Sequence, residues 1–166
     1  MSTDAIVLLK EDHKEMRRLF KAFQDAEEWP ASQRQKLVGQ ILEALTVHTY
    51  LENEVIYPEI RRLLPDLKDD ILESYEEHHV ADLLCFELAG MDAKDERFNA
   101  KTTVLIENVT HHVEEEEQEW FPKVREALGR KQLQEIGEKM IALRADAPRT
   151  PSEPKAIKKA IDAVTA

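Results

Sequence analysis

Two five-residue patterns, His48-x-x-x-Glu52 and His112-x-x-x-Glu116, set an imidazole and a carboxylate four residues apart. On an α-helix such a pair shares one face, with roughly 5–6 Å between its Cβ atoms. An imidazole nitrogen and a carboxylate oxygen so placed can reach one metal ion, or two adjacent ions with the carboxylate bridging them. The donor set suits iron, zinc or manganese. Each pattern is followed at the same distance by an aromatic-proline pair, Tyr57-Pro58 and Phe121-Pro122.

Two more histidines fall into the same scheme. The stretch EDHKEMRRLFKAF, residues 11–23, aligns with EEHHVADLLCFEL, residues 76–88, which pairs His13 with His78 and Leu19 with Leu84. The chain therefore reads as a duplicated helical hairpin, and packing of the two copies can bring His13, His48, His78 and His112 together. Two glutamates buried face to face repel unless a cation lies between them or one stays protonated. A lone histidine on an apolar helix face is ordinarily a hydrogen-bonded core residue. Four in register, two of them with Glu at i+4, point to metal instead.

On the third segment two readings stand. The duplication selects His78, whose stripe holds Ile71, Ala81, Cys85 and Leu88; helical phase alone also accepts His79, with Leu72, Leu83 and Phe86. In the acidic run Glu114–Glu117 only Glu116 keeps step with His112. Glu114 lies about 200° around the helix from His112 and is expected to face water. His111, Glu115 and Glu117 flank the inward line and are expected to be solvated or to support it. Tyr50, Tyr57, Trp120 and Phe121 are expected to pack rather than react, and Cys85 to be a small core residue.

Four long segments must position these side chains. The first, about 3–28, carries Ile6, Leu9, His13, Met16, Phe20 and Phe23 at steps of three and four, with Thr3 or Asp4 as its cap and Trp29-Pro30 as its stop. Ser32 with Gln35 forms a capping box for the second, which carries Leu37, Ile41, Leu45, His48 and Leu51 toward Pro58, where it kinks or ends. Pro65-Asp66 opens the third, with Gly90 as a left-handed C-cap. After a loop, MDAKDERFN, the fourth runs from about 96 to 128, and a weaker fifth covers 131–144. No segment alternates with the strand period. Short loops between four helices imply an all-α, up-down-up-down four-helix bundle. Residues 1–147 are expected to form this domain. Residues 148–166 form a proline-containing tail in which Ile157, Ile161 and Val164 are spaced as a short helix that could contact a protein partner.

Composition narrows the function classes. The chain has 166 residues, 42% of them hydrophobic and 34% charged, with a net charge of −11. That balance suits one soluble globular domain and opposes a general nucleic-acid binder, which needs a basic surface. A single cysteine rules out an intrachain disulfide and a cysteine zinc cluster. The N-terminal residues lack the features of a signal peptide, and no apolar run reaches spanning length, so a cytoplasmic protein without membrane contact is expected. A ferritin-like centre needs Glu-x-x-His on two helices; only Glu76-x-x-His79 matches.

The pattern of His, His-x-x-x-Glu, His and His-x-x-x-Glu on successive helices resembles the hemerythrin-like family, the hemerythrin HHE cation-binding domain, over about residues 1–128. The resemblance implies a four-helix bundle around a non-haem di-iron centre. Its ligands would be His13, His48, Glu52, His78, His112 and Glu116, with the two glutamates bridging two iron ions; zinc or another divalent ion could replace iron in crystals. It also implies a protein that binds or reacts with dioxygen or a related small ligand. Alternatives are a detoxifying enzyme acting on peroxide or nitric oxide, and a metal-dependent regulatory module. Two departures stand out. The second third-helix histidine of hemerythrins proper is absent here, since Ser74 and Asp82 flank His78 by one turn, so water or Asp82 would complete one ion. The fourth-helix motif is the HxxxE of the broader family rather than the more widely spaced aspartate of oxygen carriers.

Overall fold

The structure, a computed structural model, describes residues 1–153. Helix α1 (Ala5–Gln24) starts on Asp4, whose side chain accepts from the backbone N–H groups of Ile6 and Val7. This satisfies two of the donors a helix start leaves open. Arg125 closes on the same carboxylate. The helix stops at Gln24, four residues short of the expected end, and a turn precedes Trp29-Pro30.

Helix α2 (Ala31–Leu51) begins at Pro30 without a side-chain cap. The expected Ser32–Gln35 box is not made. Gln35 instead spans the bundle end, donating to the Met91 carbonyl and accepting from the Ala93 N–H, so a tertiary contact outcompetes the local one.

Pro58 neither ends this helix nor breaks it. A wide π-helical turn, Glu52–Ile56, leads into α3 (Tyr57–Leu63), with the Tyr57 N–H bonded to the Glu52 carbonyl. In that register Pro58 leaves the Asn53 carbonyl without a backbone donor, and the Tyr75 hydroxyl meets it at 3.4 Å. The second hairpin repeats the device. A 3-10 turn (Pro65–Leu67) opens α4 (Lys68–Ala89), and α5 (Phe98–Glu115) passes through a π-helical turn, Glu116–Trp120, into α6 (Phe121–Ala127). Gly90 caps α4 at φ −93°, so the expected left-handed conformation is not used.

α1 packs on α2, α4 packs on α5, and α7 (Arg130–Arg144) lies across α1. Gly137 makes that last approach possible: a Cβ there would lie 1.7 Å from the Thr3 carbonyl oxygen. No strand occurs among the described residues. The architecture is the expected all-α bundle with a fifth helix. The expected short helix through Ile157, Ile161 and Val164 lies outside the described residues.

The apolar core is split. One large cluster gathers Leu9, Ile56, Ile71, Tyr75, Trp120 and Phe121; a second large one gathers Met16, Leu45, Ala81, Cys85, Leu105 and Val109. Along α1, α4, and α5 with the π-helical turn that follows it, the inward face passes from one cluster to the other across a histidine: Leu9–His13–Met16, Tyr75–His78–Ala81 and Val109–His112–Trp120. Fully burying each large apolar side chain is worth about 1.5–3 kcal/mol. Those two clusters hold a polar layer between them.

Candidate metal centre

That layer contains all six residues the spacing singled out. His13, Glu52 and Glu116 are 0% exposed, His78 1%, His48 3% and His112 5%. Ligand atoms of His13, His48, Glu52 and Glu116 lie within 4.8 Å of one another, and so do those of Glu52, His78 and His112. Glu52 is common to both groups. Of the adjacent histidines on α4, His78 enters the layer; His79 lies outside it, partly exposed.

The imidazole Nε2 atoms face the carboxylates. His48 Nε2 is 3.1 Å from Glu52 Oε1, His78 Nε2 3.0 Å from Glu52 Oε2, His13 Nε2 3.2 Å from Glu116 Oε2 and His112 Nε2 3.4 Å from Glu116 Oε1. They also face one another: His13 and His48 Nε2 are 3.3 Å apart, His78 and His112 Nε2 3.0 Å. Yet Glu52 Oε1 and Glu116 Oε2 are buried without a hydrogen-bond partner. Their separations from His48 and His13 are short, but the angles are wrong for hydrogen bonds. Lone pairs converge on shared points, which is the arrangement a cation requires and which costs free energy without one. Imidazoles and carboxylates at such points fit first-row divalent metals, iron and zinc among them.

Each imidazole is oriented from behind through Nδ1. His13 Nδ1 meets Glu117 Oε1 at 2.8 Å, and Arg17 grips the same carboxylate. His48 Nδ1 meets Asp12 Oδ2 at 3.2 Å, and Arg144 of α7 donates to that oxygen at 2.8 Å. His78 Nδ1 meets Asn53 Oδ1 at 2.8 Å, and His112 Nδ1 meets Glu77. An Nδ1–H donated to an oxygen leaves the Nε2 lone pair free for a metal. Glu117 was set among flanking residues by sequence, and Asp12, Asn53 and Glu77 carried no signal there.

Electrostatics follow the same map. Burial alone would lower the pKa of His48, but Glu52 and Asp12 outweigh it and raise it to about 10. At His112 burial is likewise outweighed, by Glu116 and Glu77, and the pKa rises to about 9. Burial lowers that of His78 and the charge on His112 adds to it, against the pull of Glu52 and Glu116.

Tyr57 corrects the sequence reading. Expected only to pack, it sets its hydroxyl 2.9 Å from Glu116 Oε1, 3.0 Å from His78 Nε2, 3.3 Å from Glu52 Oε2 and 3.4 Å from His112 Nε2. The cause is the π-helical turn. Five residues of α-helix would turn Tyr57 about 140° away from Glu52; an i→i+5 turn brings it back to the same face. The repeated aromatic-proline pair was the available signal. Burial, then Glu116 and Glu52, push the Tyr57 pKa well above its ordinary value, so the phenol keeps its proton. Asp82, the residue proposed to complete the site, is in neither group; burial raises its pKa to about 7. Phe121 does pack, stacked on His13 at a centroid distance of 5.8 Å.

Comparison with known proteins agrees with this architecture. A family model described as the hemerythrin HHE cation binding domain matches residues 4–124. A DNA nickase from Nostoc sp. (strain PCC 7120 / SAG 25.82 / UTEX 2576) is 27% identical over 128 residues, 77% of this chain but 35% of that protein, so the chain spans about a third of that relative's length. A hemerythrin HHE cation binding domain-containing protein from Mycobacterium kansasii superposes with a TM-score of 0.72 at 23% identity, over 86% of each chain, a likeness of fold. No described helix is long and apolar enough to cross a membrane.

Proposed function

Because the chain belongs to the hemerythrin HHE cation binding domain family, we propose that His13, His48, Glu52, His78, His112 and Glu116 hold two adjacent metal ions, iron in the native protein. We propose further that this pair binds or reacts with dioxygen or a related small ligand. The observation that carries the reading is the pair of orphaned oxygens, Glu52 Oε1 and Glu116 Oε2, buried opposite imidazole nitrogens without hydrogen-bond geometry. Glu52, common to both groups, would be shared between the two ions. Asp12, Asn53, Glu77 and Glu117 hold the four rings in the metal-binding tautomer. A bound iron pair supplies redox steps and exchangeable ligand positions.

Tyr57 favours a second reading. A protonated phenol inside the centre, 2.9 Å from Glu116, can donate a hydrogen bond or a proton to a small ligand, which supports turnover of peroxide or nitric oxide over simple carriage. A net charge of −11 opposes a nucleic-acid role for this chain.

The test is metal analysis of protein purified without oxygen, followed by spectra as air is admitted. About two iron ions per chain and a spectral change on air are expected. Reversal of that change on evacuation would identify a carrier, and catalytic loss of added peroxide or nitric oxide an enzyme. Failure to retain any metal after reconstitution with ferrous iron would end the reading.

A further inference from the structure

The second hairpin carries HxxxE twice, one residue out of step. His112 and Glu116 enter the interior, but His111 and Glu115 make the same i, i+4 pair at its rim, with Nε2 2.9 Å from Oε1. The first hairpin has no such second pair: at the matching places stand Val47 and Leu51, both buried. Across the interface α4 contributes Glu77, and the ligand atoms of Glu77, His111 and Glu115 lie within 4.8 Å of one another. The side chains are 17%, 66% and 31% exposed in that order, so the cluster opens to water. Glu77 also reaches inward, to His112 Nδ1.

We propose that Glu77, His111 and Glu115 form a third cation site, a rim site for a divalent first-row metal ion through which the interior pair is loaded. One imidazole and two carboxylates from two helices supply a mixed nitrogen and oxygen donor set that first-row divalent ions accept, with water completing their shell. The two carboxylates face each other with no lysine or arginine on either among the described residues, unlike Glu117 and Asp12, which Arg17 and Arg144 neutralise. A cation relieves that repulsion. Glu77 gives the route: one carboxylate touches both the rim cluster and a ring whose Nε2 lies in the interior layer. Binding at the rim stands whether or not the interior holds iron; loading rests on the proposed interior pair.

Cobalt(II) is the probe, with ions per chain counted by equilibrium dialysis of the full chain and uptake into the interior followed by stopped-flow absorbance. His111→Ala and Glu115→Gln are the variants, both at solvent-facing positions, with the melting curve checking that each folds. Wild type is expected to bind one ion more than either variant, and the extra ion to be the weakest held. The variants are expected to fill the interior to the same count but at least several-fold more slowly at limiting cobalt. Equal counts in wild type and both variants would overturn the rim site. A lost ion with unchanged uptake rates would overturn loading. An interior that binds nothing while the rim ion persists would refute the interior pair and leave the rim site standing.

Discussion

Tyr57 and Phe121 stand at the same place in the two hairpins, five residues after Glu52 and Glu116 and each followed by proline. The same π-helical turn swings both rings to the polar layer. Phe121 stacks on His13 and adds no polar atom; Tyr57 puts a hydroxyl among His78, His112 and both glutamates. The supports differ too. His13 and His48 rest on carboxylates held by Arg17 and Arg144, whereas His78 rests on the neutral Asn53 and His112 on Glu77. A duplicated pattern thus yields two donor clusters of like residues and unlike surroundings. One oxygen atom and two arginines are enough to separate them.

The largest effect should come from removing what the two positions share. Glu52→Ala takes an oxygen from both groups and is expected to cost both ions, whereas Glu116→Ala is expected to cost at least one. Metal stoichiometry after identical preparation measures this, and retention of both ions by Glu52→Ala would deny it the bridging place.

Next is the pH response of the metal-free chain. His48 and His112 have pKa values raised to about 10 and about 9 from an ordinary 6.5. Their stabilising charge is fully present below about pH 6.5 and is lost as pH rises through those values. The melting temperature without metal should therefore fall steadily between neutral pH and about pH 10. Metal-loaded protein, in which the ions face Glu52 and Glu116, should change much less over that range. Parallel curves would mean that the imidazolium ions do not hold the empty centre together.

Tyr57→Phe makes the two hairpins alike. The metal-free protein should lose about 1.5–3 kcal/mol in denaturant unfolding, the worth of a hydrogen bond to a charged group. An unchanged midpoint would show that the hydroxyl contributes nothing to the polar layer. The supports come next. Asp12→Ala and Asn53→Ala should each weaken metal binding about 10- to 100-fold in competition with a chelator, Asp12→Ala at the His48 ion and Asn53→Ala at the His78 ion. Loss at the same ion in both variants would contradict the division of the centre. The smallest effect belongs to Glu114→Ala. Its exposed carboxylate touches neither group, and both ions should remain at wild-type affinity.

Much of this was legible in the chain itself. His13, His48, Glu52, His78, His112 and Glu116 were named from spacing and resemblance, and the structure gathers them in one layer. Glu114 is exposed as its helical phase required. What failed was local in form but decided elsewhere. Ser32 and Gln35 have the spacing of a capping box, yet Gln35 is claimed by Met91 and Ala93, 56 and 58 residues away. Tyr57 was misread because a phase count at 100° per residue assumes an unbroken α-helix, and the turn after Glu52 is not one.

The sequence alone determined which residues could face one another along a helix, because i, i+4 proximity is a property of the backbone within a single turn. It also determined that four polar positions interrupt four apolar stripes, and hence that a bundle would bury them as one layer. Only the tertiary structure decided what stands behind each ring. His13 finds Glu117 across 104 positions, and Asp12 finds Arg144 across 132. Such partners carry no periodicity, since nothing local relates them. They meet because helices packed at a fixed angle and phase bring them within hydrogen-bond reach, and that phase is set by the π-helical turns and by the close approach of α7 over Gly137.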